Sequence, residues 1–455
     1  MTETATEEVA IETDAQRADA QFNEGNALMQ AGRFAEAAAA YRRSLALNRT
    51  APRTHNNLAV ALAEQRKFGS ALAHYREAVR LDPDYAHAHF NFGNAYRELG
   101  RHAEAIVEYE RALTLAPGWP AALLNRGLAL AAGGEQAAAE ASYREALAAQ
   151  PDYPEAHNNL GLALELQGRL DQAMQHFDRA LELAPAFANA HANRAQLQLL
   201  RGNLREGWPE YEWRWRLPGV GLPGIDTPIW DGTPPGGRSV LLRAEQGLGD
   251  TIQFVRFASM LANAGATVVL ECQPALVSLL TRVRGVRRVV PRGSAIPRCN
   301  TQIPVASLPR VLGITDIAAI PAATAYLDVD PVREAQWRER LAADPALKVG
   351  IVWQGSSAHP QDPHRSIPPE HFVALAAVPG VEIVNLQLGQ RAPAALRAKE
   401  PLAEIDAEQP FSFEDTAAIV ANLDLIVTCD TALAHLAGAL GVPVWIALPL
   451  IPDWR

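Results

Sequence analysis

The stretch "RAEQGLGDTIQF", residues 243–254, joins an apolar run (Val240, Leu241, Leu242) to an apolar-periodic one (Ile252, Val255, Phe257, Leu261). An apolar run, a glycine-rich turn and a helical pattern, in that order, make the strand–turn–helix unit of α/β folds. Such a turn cradles a phosphate, presents a carboxylate, or simply connects two elements. A dinucleotide fingerprint requires a third glycine where Ile252 stands, although Glu271 lies about 20 residues on, where a ribose-binding acid belongs. Asp250 at the helix start would repel a pyrophosphate placed there, and no Gly-Lys-Ser/Thr follows to make a P-loop. Two readings survive and are compatible. Asp250 is expected to cap a helix that begins at Thr251. It would also present a carboxylate able to accept a proton, with Gly247 and Gly249 letting an acceptor substrate approach the backbone.

Downstream of this turn, short β-branched runs alternate with helical patterns. Strands are expected at 239–243, 267–271, 286–290, 348–353, 382–386, 425–428 and 444–448, and helices at 251–264, 274–283, 369–377, 416–422 and 431–440. This alternation implies parallel sheets covered by helices on both faces. A break at 330–347, itself carrying a helical pattern over 332–342, divides the region into two such units. Two doubly wound units facing each other leave a cleft at their strand C-termini, where open α/β sheets bind ligands.

A second motif lies in the last strand–turn–helix unit, "LIVTCDTALAHLAGALGVPVWIALP" (425–449). Asp430 and Thr431 stand at the start of a helix that carries His435 one turn in. Backbone amides there, with the Thr431 hydroxyl, make an anion site. Taken alone, His435 would read as a core histidine; within D-T-A-x-x-H it reads as a ligand contact.

Upstream, the sequence repeats every 34 residues. Prolines fall at 83, 117, 151 and 185, and aromatics at Tyr41, Tyr75, Tyr109, Tyr143, Phe177 and Tyr211. Small residues recur in two registers, Gly25, Ala59, Gly93, Gly127, Gly161, Ala195 and Ala37, Ala71, Ala105, Ala139, Ala173. This is the layout of the tetratricopeptide repeat: small residues let two helices approach, an aromatic fills the gap, and proline closes the second helix. Six units are expected over 18–217, the last degenerate, with Gly207 in place of alanine and Trp208, Trp213 and Trp215 crowded in. Asparagine also keeps the period, at Asn23, Asn57, Asn91, Asn125, Asn159 and Asn193. Helix propensity does not explain it. Either these amides bond between neighbouring repeats, or they form a ladder that grips the backbone of a peptide in the concave groove. The repeat half resembles the repeat domain of O-GlcNAc transferase, in which such a ladder occurs, and that resemblance implies a protein or peptide partner in the groove.

The second half resembles glycosyltransferase family 9, the lipopolysaccharide heptosyltransferases, through "GLGDTIQF" and "DTALAHLAGALGVPVW". It is most similar to bacterial proteins that fuse tetratricopeptide repeats to such a region. The resemblance implies an α solenoid followed by a GT-B fold of two Rossmann-like domains. Its parts would be a disordered lead (1–17), the repeats (18–217), a Pro/Gly-rich linker (218–237), an N-terminal domain (238–331) and a donor-binding domain (346–455). It implies that Asp250 is the catalytic base and that Asp430, Thr431, Ala432 and His435 bind the donor diphosphate. Arg365 in "HRSIP" would contact phosphate, and Gly355 and Ser356 would end a strand at the cleft. The family continues beyond its last donor-site strand with terminal helices, whereas this chain ends at "IPDWR", so the donor domain is expected to be cut short.

These features together lead to the expectation of an inverting, metal-independent transferase, with a nucleotide-sugar as donor substrate and no cofactor. The rival expectation is a non-catalytic repeat scaffold with a degenerate GT-B region. The net charge of −10 argues against a nucleic-acid surface, which would carry a basic stripe. No run reaches the roughly 18 apolar residues of a membrane-spanning helix. The polar, acidic N-terminus is unlike a signal peptide. Cys272, Cys299 and Cys429 are odd in number and lack metal-ligand spacing, which fits a reducing cytoplasm.

Overall fold

The computed structural model describes residues 13–221, 224, 226–321, 325–341, 345–355, 362–404 and 413–454. Its contacts form two compact units, one ending at Ala190 and the other starting at His191.

The first unit is built from helix pairs. They are α1 (Asp14–Gln30) with α2 (Phe34–Leu47), α3 (Pro52–Glu64) with α4 (Phe68–Leu81), and α5 (Ala86–Glu98) with α6 (His102–Leu115). Next come α7 (Pro120–Ala132) with α8 (Gln136–Ala149), and α9 (Pro154–Glu165) with α10 (Leu170–Leu183). Helix α1 starts four residues before the expected boundary at 18, behind a capping box made by Thr13 and Gln16; residues 1–12 lie outside the described residues. Pro52, Pro120 and Pro154 open their helices at the first turn, where a missing N–H costs nothing. The periodic glycines are explained by contact: a Cβ on Gly93 would stand 2.7 Å from the Tyr109 ring, and one on Gly161 2.6 Å from Phe177. Tyr41, Tyr109 and Phe177 are fully buried there.

The turn between the two helices of each repeat uses a left-handed residue, and these turn residues keep the 34-residue period. Gly32, Gly100, Gly134 and Gly168 all have φ between +71° and +87°, and Arg66 occupies the same register at φ 61°. A side chain in that region costs about 1–2 kcal/mol. Arg66→Gly should therefore stabilise the array by about 1 kcal/mol, read as a higher midpoint in urea monitored by circular dichroism. Arg66 also makes a loose 3.8 Å contact with Glu98 between exposed side chains, which is too weak to reverse the sign.

The boundary at His191 falls within α11 (Ala188–Leu200), most of which lies in the second unit, followed there by α12 (Leu204–Tyr211) and a 3-10 turn (Glu212–Arg216). The sixth repeat is thus present as a helix pair, but its packing joins it to the α/β region. Gly207 replaces alanine because Leu199 comes within 2.7 Å of where a Cβ would be. Leu199, Trp208 and Tyr211 share one apolar core with Ile252, Phe254, Leu433 and Leu436. Within the Pro/Gly-rich stretch, Trp230 is buried and its backbone N–H donates to the Gln302 carbonyl at 2.8 Å, so this part docks on the first sheet.

That sheet contains β1 (Ser239–Arg243), β2 (Thr267–Cys272), β3 (Val286–Pro291) and β4 (Thr301–Pro304) in the order β3-β2-β1-β4. The second contains β5 (Leu347–Val352), β6 (Val381–Asn385), β7 (Leu425–Cys429) and β8 (Val444–Ala447) in the order β6-β5-β7-β8. Every pairing is parallel. Strand β4 was not expected, because polar Gln302 interrupts its apolar pattern; in the fold that side chain is bound by Arg243 and by the Thr227 carbonyl.

Among the described residues, the further helices of this unit are α13 (Leu248–Phe254), α14 (Ala258–Asn263), α15 (Val277–Leu280), α16 (Leu308–Val311), α17 (Pro331–Leu341), α18 (Asp362–Arg365), α19 (Val373–Ala376), α20 (Phe413–Val420) and α21 (Ala432–Leu440). The single helix expected over 251–264 is two, separated by a 3-10 turn at Val255–Phe257. Tyr326 and Leu327 donate their N–H groups to the Ala439 carbonyl at 3.0 and 3.2 Å, and the Tyr326 hydroxyl donates to the Ile252 carbonyl at 2.9 Å. The crossover chain thus ties α21 to α13.

Candidate functional site

The two sequence motifs meet. Helix α13 carries the glycine turn, helix α21 carries the D-T-A-x-x-H segment, and they pack together at their N-terminal ends. A Cβ on Gly249 would lie 2.6 Å from His435 Cδ2 and 3.3 Å from the Ala432 Cα. Gly249 is therefore required for closeness between the two halves rather than for backbone freedom. Gly249→Val should force the helices apart, destabilising the second unit by about 1–3 kcal/mol. Thermal unfolding followed by tryptophan fluorescence measures this; an unshifted transition would mean the helices separate at no cost.

Asp250 does not cap a helix beginning at Thr251. The helix begins three residues earlier, Gly247 is the cap, and Asp250 is the third helical residue, its Oδ2 accepting the Gly247 N–H at 2.7 Å. The expected boundary was misplaced because Leu248-Gly249 resembles turn, whereas Gly249 is helical for the packing reason above. A carboxylate here is favoured by the helix N-terminus. It is 9% exposed. Gln273, which the sequence did not single out, holds the same turn: its Nε2 donates to the Gly247 carbonyl at 3.1 Å and its Oε1 accepts from Thr251 at 3.0 Å.

On the other side, Thr431 is the N-cap of α21. Its Oγ1 accepts the Leu433 N–H at 3.3 Å and lies 3.2 Å from the Thr428 hydroxyl. The backbone at Asp430 is held by Arg365, whose Nη1 donates to the Asp430 carbonyl at 3.3 Å. The Arg365 guanidinium lies flush against Gly355, where a Cβ would stand 2.6 Å from Nη2. Its Nε is buried with no hydrogen-bond partner among the described residues, and its nearest carboxylate, Asp362, is 3.8 Å away. A buried cationic N–H of this kind is suited to donate to an anion's oxygen. Arg365, Gly355, Asp430, Thr431, Ala432 and His435 are therefore brought into one neighbourhood, with Gly249 against it. Ser356 lies outside the described residues. Burial pushes the Cys429 thiol beneath this site up to about 11, so it is an inert apolar group.

Further amides line the ends of β5 and β6, and no sequence signal marked them. Gln387 accepts the Trp353 and Gln354 N–H groups at 3.2 and 2.9 Å, and Gln354 donates to Asp362 at 2.8 Å. Glu271, the residue a dinucleotide site would use, is buried and receives the Arg243 Nε at 2.9 Å. An acid already neutralised across β1 and β2 does not serve a ribose.

The asparagine register divides between the units. In the first, Asn57 donates to Asn26 at 2.9 Å, Asn91 to Asn56 at 3.1 Å and Asn125 to Asn94 at 2.9 Å, each reaching the preceding repeat. The Tyr41 and Tyr109 hydroxyls donate to the same Asn26 and Asn94 oxygens at 2.8 Å. These three amides bond between repeats, as one of the two readings held. Asn23 is exposed and Asn159 half-buried, the latter accepting from Asn158 at 3.3 Å. Asn193 is half-buried in the second unit. No helix among the described residues is long and apolar enough to cross a membrane.

Comparison with known proteins shows the same division. Residues 56–122, 108–154 and 124–188 match the tetratricopeptide repeat, and residues 25–66 match a second description of that repeat. Residues 369–448 match glycosyltransferase family 9 (heptosyltransferase). Protein FlbA of Caulobacter vibrioides is 28% identical over 272 residues, 53% of this chain; the chain spans 45% of that relative's length. Among solved structures, Pseudomonas aeruginosa PilF is 21% identical, covering 46% of this chain and 95% of its own, with a TM-score of 0.42. YrrB, described as a TPR protein with an unusual peptide-binding site, is 23% identical over 39% of this chain and 92% of its own, with a TM-score of 0.34. The chain joins a tetratricopeptide-repeat solenoid to an α/β region of two parallel sheets whose C-terminal half carries a glycosyltransferase family 9 segment.

Proposed function

We propose that this protein is an inverting glycosyltransferase that moves a sugar from a nucleotide-diphosphate donor to an acceptor hydroxyl or amide. The observation that carries the reading is the contact of Gly249 with His435 and Ala432, which brings the Asp250 turn against the family 9 segment. In the reaction, Asp250 takes the acceptor proton as the new bond forms at the anomeric carbon. The bond from that carbon to the phosphate oxygen breaks, and the nucleoside diphosphate leaves with its electron pair. The amides at the start of α21, with Arg365 and His435, stabilise the charge that grows on the leaving diphosphate. The chemistry needs no cofactor, and its metal independence rests on those fixed donors. The repeat groove recruits a protein or peptide acceptor, with the exposed Asn23 and half-buried Asn159 among the amides that meet it.

A second reading has one observation in its favour. The Asp250 carboxylate already closes the cap of α13, a use that a non-catalytic scaffold would keep. A thermal-shift panel of nucleotide sugars with uridine, guanosine, adenosine and thymidine bases separates the two. The transferase reading expects one donor to raise the melting temperature of the second unit and, with acceptor protein, to add a sugar mass by mass spectrometry. A protein indifferent to every donor is a scaffold.

A further inference from the structure

The segment that closes the sixth repeat reaches the glycine turn directly. Arg214, on the 3-10 turn after α12, is buried, and its guanidinium forms a two-pronged pair with Glu245: Nε to Oε2 and Nη2 to Oε1, both at 3.0 Å. The same guanidinium lies over the rings of Tyr211 and Trp215, each 4.5 Å from the ring centre. Its Nη2 also donates to the Ser307 hydroxyl at 2.8 Å, and Nη1 to Glu212 at 2.9 Å and the Tyr211 carbonyl at 3.0 Å. Glu245 accepts in addition the Ala306 N–H at 3.1 Å. One residue on, Gln246 has φ 58°, a conformation unfavourable for a side chain, and its Nε2 donates to the Tyr211 hydroxyl at 2.7 Å. Gly247, next again, gives its N–H to Asp250.

Three consecutive residues of the turn are thus held in order: Glu245 by Arg214, Gln246 by Tyr211, and Gly247 by Asp250 itself. A planar guanidinium clamped by two rings and a carboxylate has a single orientation. The left-handed Gln246 persists because its surroundings determine it. Cap position and side-chain direction at Asp250 depend on where Gly247 lies, so an error at Glu245 passes down the turn to the carboxylate.

We propose that Arg214 and Tyr211 of the last repeat are positioning residues for Asp250, so that the sixth repeat is part of the catalytic machinery rather than of the recruiting array. The proposal rests on the transferase reading for its chemical consequence and on the turn geometry for its physical one.

Full-length Tyr211→Phe and Arg214→Lys test it. The first removes one hydroxyl; the second keeps the charge and loses the two-pronged geometry. Hydrogen–deuterium exchange over 244–251 is read first, then kcat and KM against pH with the nucleotide sugar that the panel identifies. The expected result is exchange at the Gly247–Asp250 amides at least about tenfold faster, against unchanged exchange in α21. In transfer, kcat should fall about tenfold, KM for the donor should stay constant, and the acid limb of the pH profile should move, since it reports the base. Exchange at the turn equal to wild type in both variants overturns the proposal, as does faster exchange with kcat unaltered. If the wild type transfers from no donor, the transferase reading falls by itself, and the exchange result alone decides whether the repeat holds the turn.

Discussion

Asp250→Asn is expected to lower the transfer rate by about 10²–10⁴-fold, the usual worth of a positioned general base, while donor binding and the fold remain. Asparagine retains an oxygen at the same place, so it can still accept the Gly247 N–H that Asp250 accepts at 2.7 Å. What it loses is the ability to take a proton and the favourable interaction of a charge with the start of α13, about 0.3–1 kcal/mol. The melting temperature should therefore drop by no more than a few degrees. Transfer, monitored by release of nucleoside diphosphate, should fall to near background. The opposite pattern, preserved transfer with a large loss of stability, would reduce Asp250 to a capping residue. The donor shift in the thermal assay should be the same in both proteins, because the groups proposed to hold the donor phosphates are Arg365, beside Gly355, and the start of α21, none of them on Asp250.

Arg214→Met is expected to destabilise the second unit by about 3–5 kcal/mol, the cost of leaving a buried carboxylate without its counter-charge. The Glu245 side chain is only 7% exposed. Burial pushes its carboxyl up from the ordinary range, and the Arg214 guanidinium opposes that shift. In the variant, Glu245 folds as the neutral acid, whereas the unfolded chain ionises above about pH 4.3. The loss is therefore smallest near that pH and grows as pH rises toward the raised folded value. Arg214→Met combined with Glu245→Met removes both charges and should recover most of the stability. A shortfall of about 1–3 kcal/mol should remain for the Ala306 N–H left unpaired. Eight of the nine tryptophans lie from Trp208 onward, so denaturant unfolding followed by tryptophan fluorescence reads this unit.

The two experiments bear on one geometry from opposite ends. Asp250 sits at the inner end of the turn and Glu245 at its entrance, with the apolar face of α13 behind them. Trp454 packs edge-on to Trp208 and Tyr211, with ring centres 5.4 and 5.1 Å apart, and at 6.1 Å from Phe254. The helix that carries the carboxylate is thus wedged between the sixth repeat and the end of the second sheet region. A carboxylate on such a support is already ordered, which is what the proposed general base requires.

Much of this protein could be read from its sequence, for a local reason. A 34-residue period records which residues face the neighbouring helix, because a small residue must lie under the ring sixteen positions on, as Gly25 does under Tyr41, Gly93 under Tyr109, Gly127 under Tyr143 and Gly161 under Phe177. Strands β1, β2, β3, β5, β6, β7 and β8 announced themselves as short β-branched runs between helical patterns. Of these, β1 and β2 are buried along nearly their whole length and so are written as continuous apolar runs, whereas β3 and β8 are largely exposed and are marked by their β-branched residues alone. Strand β4 did not, because Gln302 breaks its run to satisfy Arg243 across the sheet. The start of α13 was misplaced because Gly249 looks like turn, and its reason for being glycine is His435, 186 residues away in the chain.

What the tertiary structure decided are the relations between distant residues. The sequence set out a repeat array, a glycine turn and a D-T-A-x-x-H segment. Only the fold packed the last two against each other and moved the sixth repeat into the unit that contains them. Only the fold paired Arg214 with Glu245, 31 residues on, and Ser307, 93 residues on. Periodicity encodes the faces of helices and strands, which depend on neighbours three, four or thirty-four positions away. A buried ion pair has no period, and its partners are chosen by which surfaces the core brings together.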